Sequence, residues 1–276
     1  MTLTEETYHT PPANMEYVSH SQIIDFYGTL GRDGCECMGL AKAIGKYTQP
    51  FNTSLMVGSY VDAALTGDLD AFKSQHPEII SSRGETKGNL KKEYVQADVM
   101  IERAKKDALF MSFLEGEKQV IETGEINGVK CKIKIDIMQE DKLVDLKTAK
   151  NMTDTFYAKG ASDRLTVAEY WGWDIEACLY QEIHYQNTGK RLDFYLAIIT
   201  KESTDGVPHP RLGIVRIPQQ KIDAQRQFIE NSVYKINEIK QGHINPVPCG
   251  RCDWCADNLA LKEYDIIDMD EMILRV

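Results

Sequence analysis

No apolar run reaches the length of about 18 residues that a membrane-spanning helix needs. The polar stretch Met1–Pro12 likewise lacks the apolar segment of a secretory leader. A membrane partner is therefore not expected, and the expected compartment is the cytoplasm. Missing too is any excess of positive charge: 32 Lys and Arg against 42 Asp and Glu leave a formal net charge of −10. That excludes a protein that coats nucleic acid by bulk attraction. It does not exclude an enzyme that touches nucleic acid through one basic patch, because the field that matters is local. No internal repeat, low-complexity stretch or linker is visible. Cysteines are few and odd in number, seven in 276 residues. Without a leader this fits a reducing compartment, where grouped thiols point to metal rather than to disulfides.

What is present reads as one α/β domain with a mixed central sheet flanked by helices. A loose N-terminal arm is expected over residues 1–18 and the core over 19–245. A Cys-rich segment and acidic tail over 246–276 should pack on the same domain. Helices are predicted over 22–30 (with Ser19 or Ser21 as N-cap), 54–65, 91–113, 166–186 and 218–241. Strands are predicted over 118–125 and 129–138, joined at the hairpin dipeptide Asn127-Gly128, and over 142–148, 192–200 and 211–217. Residues 66–90 read as loop, ending in the basic residues Arg83, Lys87, Lys91 and Lys92.

The most informative segments are Lys132-Ile133-Lys134-Ile135-Asp136-Ile137 and Leu143-Val144-Asp145-Leu146-Lys147-Thr148. Strict alternation places Ile133, Ile135 and Ile137 on one face and Lys132, Lys134 and Asp136 on the other. A turn at Glu140-Asp141 sets Gln139 opposite Lys142, Asp136 opposite Asp145 and Lys134 opposite Lys147. Opposed carboxylates destabilise a sheet by up to roughly 1 kcal/mol. A divalent cation reverses that sign, since Mg²⁺ favours one or two carboxylates plus water and phosphate oxygens. The bland alternative is a solvated edge hairpin. Gly58 and Asp62 share a face of the 54–65 helix. A mid-helix glycine costs about 1 kcal/mol relative to alanine, which suggests a close approach by another backbone. Asp62 is then a candidate third carboxylate. Gln181 and Tyr185 form a further i, i+4 pair.

Together, Gly58…Asp62, Asp136, Asp145-Leu146-Lys147 and Gln181…Tyr185 resemble the PD-(D/E)xK nuclease superfamily, in its RecB-like branch. The segment Gly128–Lys150 is most similar to the RecE-like phage exonucleases (exodeoxyribonuclease VIII). The resemblance spans roughly residues 19–217 and departs at Asp62, where the branch often has His. It implies a restriction-endonuclease-like core and a metal-dependent exonuclease acting on linear double-stranded DNA, 5′ to 3′, in recombination or repair. Asp62, Asp136, Asp145 and the Leu146 carbonyl would hold Mg²⁺ or Mn²⁺. Lys147 would position water and neutralise developing charge, Gln181 would orient the lysine or the water, and Tyr185 would touch the DNA backbone. Arg83, Lys87, Lys91 and Lys92 would contact phosphates. A homo-oligomer and a single-strand annealing partner are further implications. The competing readings are an endonuclease or single-strand nuclease of the same fold, and a non-catalytic DNA-binding module stapled by metal.

Cys249, Cys252 and Cys255 put three thiols into seven residues. A four-ligand site, [4Fe–4S] or Zn²⁺, needs a fourth, with Cys35 or Cys37 the candidates. Some RecB-like nucleases join one N-terminal and three C-terminal cysteines around [4Fe–4S]. Cys131 and Cys178 fall inside predicted elements and read as core.

Overall fold

A computed structural model describes residues 3–260. In chain order the elements are α1 (Pro11–Glu16), α2 (His20–Tyr27), α3 (Glu36–Ala43), α4 (Thr53–Thr66), α5 (Leu69–Gln75), α6 (Lys92–Lys105) and α7 (Ala108–Phe113). Then follow β1 (Glu117–Ile126), β2 (Val129–Met138), β3 (Lys142–Ala149), β4 (Thr155–Tyr157), β5 (Arg164–Thr166), α8 (Val167–Trp171) and α9 (Trp173–Thr188). The chain continues through β6 (Asp193–Thr200), β7 (Ser203–Thr204), β8 (Val207–Pro208), β9 (Leu212–Arg216), α10 (Gln219–Ala224), α11 (Arg226–Lys240) and α12 (Asp253–Asn258).

The central sheet has five strands in the order β1-β2-β3-β6-β9. Only β3 and β6 run parallel, and α8 and α9 make the crossover between them. Two apolar layers sandwich the sheet. One gathers α2, α9 and α11 over Ile133, Ile135 and Phe194. The other gathers α4, α6 and α7 over Ile137, Val144 and Ile199. The mixed sheet flanked by helices is the architecture the residue pattern predicts.

The predicted β1–β2 hairpin turns at Asn127 and Gly128, both in the left-handed region (φ 52° and 76°), as a tight two-residue turn requires. Three predicted helices are interrupted, the first two by local chemistry. The 91–113 stretch divides where the Asp107 carboxylate caps α7 by accepting the Phe110 amide. The 166–186 stretch divides at Gly172 (φ 75°), after a Thr166–Glu169 capping box. The 218–241 stretch divides at Gln225. Helix α5 lies within the 66–90 stretch read as loop, and α3 occupies a stretch for which no element is predicted.

The N-terminal arm is packed, not loose. Tyr8 and Ala13 are buried, and the Tyr8 carbonyl and Asn14 Oδ1 both accept from the ammonium of Lys132, which is 1% exposed. Lys132 therefore does not sit on a solvated face. At the other end of the chain, Trp254 meets Tyr47 edge-on at 6.1 Å, and α12 packs on α3. The acidic tail beyond residue 260 lies outside the described residues.

Lys240 at the end of α11 is partly buried under this arm, bonded to the Tyr17 carbonyl (2.8 Å) and Gln22 Oε1 (2.7 Å). Burial, then Lys132, push its pKa down to about 7. Above that pH the folded protein releases a proton that the unfolded chain keeps. Stability should therefore rise from about pH 7 to 9, by at most about 1.4 kcal/mol per pH unit. Above that window the buried thiols Cys131 and Cys178 act in the opposite sense, since burial raises both to about 12. Melting temperature measured at both pH values in wild type and Lys240→Met checks this. An equal slope in the two proteins would exclude Lys240 as its source.

Candidate active site

The site forms where the sheet comes apart. Strands β2 and β3 pair as Met138↔Leu143 and Ile137↔Val144, the predicted register, and then part. Asp136 and Asp145 come next in that register but do not face each other across a ladder. Instead Asp136 Oδ2 fills the gap and accepts the Leu146 amide at 3.0 Å. On the other side the β1–β2 ladder skips Gln119↔Asp136, and Gln119 has φ 54°. This break rotates β2, so Ile135 joins one apolar layer and Ile137 the other. The expectation of three isoleucines on one face is corrected accordingly: a disrupted ladder no longer enforces a period of two.

Asp145 is 3% exposed, and its Oδ2 lies 2.6 Å from Lys147 Nζ. The same ammonium donates to Glu176 Oε2 at 2.8 Å. Glu176, in the first turn of α9, has His20 Nδ1 at 3.6 Å and is hydrogen-bonded by Tyr180. His20 Nε2 lies 3.0 Å from the Gly172 carbonyl, which anchors its ring. From the opposite layer, α4 brings Asp62. Asn52 starts this helix by accepting from the Ser54 and Leu55 amides. Gly58 lets it approach β3, where a Cβ would meet Thr148 Oγ1 at 3.2 Å. The close neighbour expected at Gly58 is thus a side chain and not a backbone.

The charges oppose one another strongly. Burial, then Glu176 and Asp136, push the Asp145 carboxyl well above its usual range, with Lys147 opposing. Burial also raises Asp136, against Lys147 and the Leu146 amide. Burial, then Asp136, raises Asp62 to about 7. Glu176 goes the other way: despite burial, Lys147, His20 and Tyr180 hold it below the usual range. Lys147 is held above its ordinary value, against its own burial, by Asp145, Glu176 and Asp136. Three carboxyl groups, of Asp145, Glu176 and Asp136, thus converge around one lysine, with Asp62 beside Asp136, and Asp62 Oδ1 is buried with no hydrogen-bond partner among the described residues. An oxygen-rich, electron-rich donor set with an orphaned carboxylate suits a hard divalent cation. The residues that would hold one are Asp62, Asp136 and Asp145. Their ligand atoms are not drawn within 4.8 Å of one another, as those of the cysteine quartet are.

Three residues of this site escape the sequence motifs: Glu176, Tyr180 and His20. Gln181 does not reach Lys147. Its amide donates to the Leu192 carbonyl (2.9 Å) and to Gln219 Oε1 (3.0 Å), and its Oε1 accepts from Gln219 (2.8 Å), so it ties α9 to β6 and α10. Tyr185 is 42% exposed, with the Arg191 guanidinium 4.6 Å above its ring. The acid-then-tyrosine pair that faces Lys147 is Glu176–Tyr180, five residues earlier at the same i, i+4 spacing. Arg83, Lys87, Lys91 and Lys92 are exposed, and none forms an ion pair among the described residues. Lys91 lies just ahead of α6.

At the chain's two ends, Cys35, Cys249, Cys252 and Cys255 bring their sulfurs within 4.8 Å of one another. Cys35 Sγ lies 3.6 Å from Cys255 Sγ, and Cys249 Sγ lies 4.0 Å from it. All four are free thiols. Despite burial, the Arg251 and Cys252 amides hold the Cys249 thiol down at about 7. Cys37 turns away to the Pro246 carbonyl (3.5 Å), so of the two N-terminal candidates it is Cys35 that joins the cluster. Cys131 and Cys178 are buried core residues, as expected.

The fold has known relatives. A crystal structure of a candidate exonuclease from Eubacterium rectale matches with a TM-score of 0.91 and 37% sequence identity over 100% of both chains. No curated protein matches the chain. No helix among the described residues is long and apolar enough to cross a membrane. The model of the PDDEXK-like domain of unknown function (DUF3799) matches residues 19–258, and the chain, with its acid pair and lysine on parted strands, belongs to that family.

Proposed function

We propose that this nuclease is a metal-dependent exonuclease that hydrolyses phosphodiester bonds of linear duplex DNA. The observation that carries the reading is Lys147 held between buried Asp145 and Glu176, beside Asp136 in the gap of the parted strands. Mg²⁺ or Mn²⁺ on Asp62, Asp136, Asp145 and the Leu146 carbonyl would supply Lewis acidity toward the scissile phosphate and a more acidic bound water. The protein's own groups do the rest. Lys147 presents a fixed positive charge at the reacting phosphate and a donor to the attacking water. Glu176 fixes where that ammonium points, and Tyr180 and His20 fix Glu176. The preference for ends, the 5′–3′ direction, an oligomer and an annealing partner are what the RecE-like resemblance adds. The relative from E. rectale supports the exonuclease part. Incubation of linear and covalently closed circular duplex with Mg²⁺, with and without EDTA, tests the reading. Loss of the linear form alone, blocked by EDTA, is expected. Equal cleavage of circles would make the chain an endonuclease, and intact but bound DNA would make it a non-catalytic module.

The cysteine quartet is proposed as a structural metal staple joining the stretch before α3 to the stretch around α12. A tetrahedral ion with Zn–S bonds of about 2.3 Å sets its sulfurs about 3.8 Å apart. The 3.6 and 4.0 Å separations suit that single-ion geometry, and so Zn²⁺ ahead of [4Fe–4S]. Loss of a structural metal belongs to the class of changes costing about 4 kcal/mol or more, roughly 10 °C in melting temperature at this chain length. Cys252→Ser should show that loss and should lower bound zinc measured by elemental analysis. A variant that melts with wild type would remove the staple from the argument.

A further inference from the structure

Close to the catalytic lysine stands a group of aromatic and basic side chains that hydrolysis does not use. The β4–β5 hairpin, the loop between α2 and α3, and α8 pack as one unit. Phe156 stacks on Tyr170 at 4.0 Å with 20° between the rings. Thr29 Oγ1 donates to the Tyr170 carbonyl at 2.8 Å, and the Lys159 amide donates to the Leu30 carbonyl at 2.8 Å. Gly31 is needed there, since a Cβ would strike the Tyr170 ring at 2.4 Å.

On this base two rings remain exposed, Trp171 (42%) and Tyr157 (62%). Each carries a guanidinium on one face: Arg32 lies 4.4 Å from the Trp171 centroid, and Arg164 4.5 Å from that of Tyr157. The unit adjoins the active site through the chain itself. Trp171 precedes Gly172, whose carbonyl holds His20, and Trp173 lies 5.9 Å from the Lys147 ammonium.

Large exposed rings are costly to leave in water, and here they are rigidly mounted and paired with delocalised cations. Arg32, Arg164 and Lys159 supply positive charge. The local acids are Asp154, Asp163, Asp33 and Glu169; Asp33 is taken up by Lys159 (3.0 Å) and Arg251 (3.5 Å), and Glu169 by Lys221 (2.6 Å) and the Thr166 cap. Aromatic and guanidinium planes among cations are the combination that holds unpaired nucleotides, because every base has a stackable face and every linkage a negative charge. In a duplex the base faces are already stacked on one another, so such rings gain little from it.

We infer that Trp171 and Tyr157, with Arg32 and Arg164, form a stacking platform that holds a single-stranded DNA segment beside the catalytic lysine. This rests on the nuclease reading and deepens it: the substrate presented to the site would be a strand separated from its complement. The platform lies on the connection that leads from β3, carrying Asp145 and Lys147, to α9, carrying Glu176. A strand stacked there is delivered to the phosphate-cleaving groups without a further moving part.

The test is binding of fluorescein-labelled oligothymidylate and of a blunt hairpin duplex, by anisotropy in EDTA so that nothing is cut. Tyr157→Ala and Trp171→Ala should each weaken oligothymidylate binding about tenfold or more, with duplex binding far less affected. Tyr157→Phe, which keeps the ring, should bind like wild type and act as the folding control. Quenching of Trp171 emission on binding should disappear in Trp171→Phe. The platform is overturned if wild type digests DNA yet both alanine variants bind oligothymidylate normally, or if they lose both ligands equally. Should wild type digest no DNA while Tyr157→Ala still loses oligothymidylate, the platform stands and the nuclease reading falls.

Discussion

Asp145→Asn should abolish hydrolysis while leaving the metal-free fold as stable as before or more so. The loss in rate follows from position. Asp145 is the buried carboxylate closest to Lys147 and one of the groups that would hold the cation, whose electrostatic contribution is several kcal/mol. At about 4 kcal/mol this is roughly a thousandfold in rate. The stability argument runs the other way. Ionised Asp145 is desolvated and repelled by Glu176 and Asp136, and only Lys147 compensates. An asparagine keeps the shape and removes the repulsion, and Lys147 retains Glu176 at 2.8 Å. Catalytic charges held at a cost to the fold are the usual origin of such a trade-off. The wild-type protein should also melt higher with Mg²⁺ than without, because a cation that binds the folded state alone stabilises it. Asp145→Asn should lose most of that increment. A variant that cleaves DNA at the wild-type rate, or that still gains the full Mg²⁺ increment, would displace Asp145 from the metal site.

Much of this site is legible in the chain because it depends on short-range pattern. The Asn127-Gly128 turn and the register after Glu140-Asp141 follow from local turn chemistry, and they carry Asp136 and Asp145 to the same place. A partner for the three closely spaced C-terminal thiols is legible too, though the chain alone leaves it open between Cys35 and Cys37, and only the fold brings Cys35 to them. What the pattern hides depends on tertiary contacts. Nothing in Gln119 marks it as left-handed, yet its φ of 54° opens the ladder beside Asp136. Lys132 alternates like a surface residue and is buried because residues 3–16 fold back over it. Helix α3 has no capping side chain at Cys35, and its Gly39 reads as a breaker. The glycine is there because the Phe26 ring occupies the space of a Cβ, 2.3 Å away. The phase of α9 is hidden for a different reason. Trp173 through Gln181 are buried on every side, so apolar periodicity cannot say which face looks at Lys147.

That ambiguity of phase makes Glu176 and Gln181 the sharpest pair to compare. Both precede a tyrosine by four residues, but five residues turn a helix by about 140°, so only one pair can face the lysine. Glu176→Ala should leave Lys147 with Asp145 as its sole direct partner and free to tilt onto it. The ammonium then no longer points where charge develops, and loss of one such oriented group costs about 10²- to 10³-fold in kcat. KM should change little, because Glu176 is 6% exposed and offers nothing to a distant part of the DNA. Glu176→Gln should fall between, keeping an acceptor for the lysine without the charge that holds it. Gln181→Ala should do the reverse. It strands the Leu192 carbonyl and Gln219, and an unsatisfied buried polar group costs about 1–3 kcal/mol. At this chain length that is roughly 2–12 °C in melting temperature. Its turnover, measured well below that temperature, should stay within a few-fold of wild type, since none of its partners touches Lys147. Steady-state digestion of linear duplex together with thermal unfolding of the three variants separates the cases. If Gln181→Ala lost its turnover at an unchanged melting temperature while Glu176→Ala kept it, the helix would be turned the other way in the working enzyme, and Gln181 with Tyr185 would be the pair at the lysine.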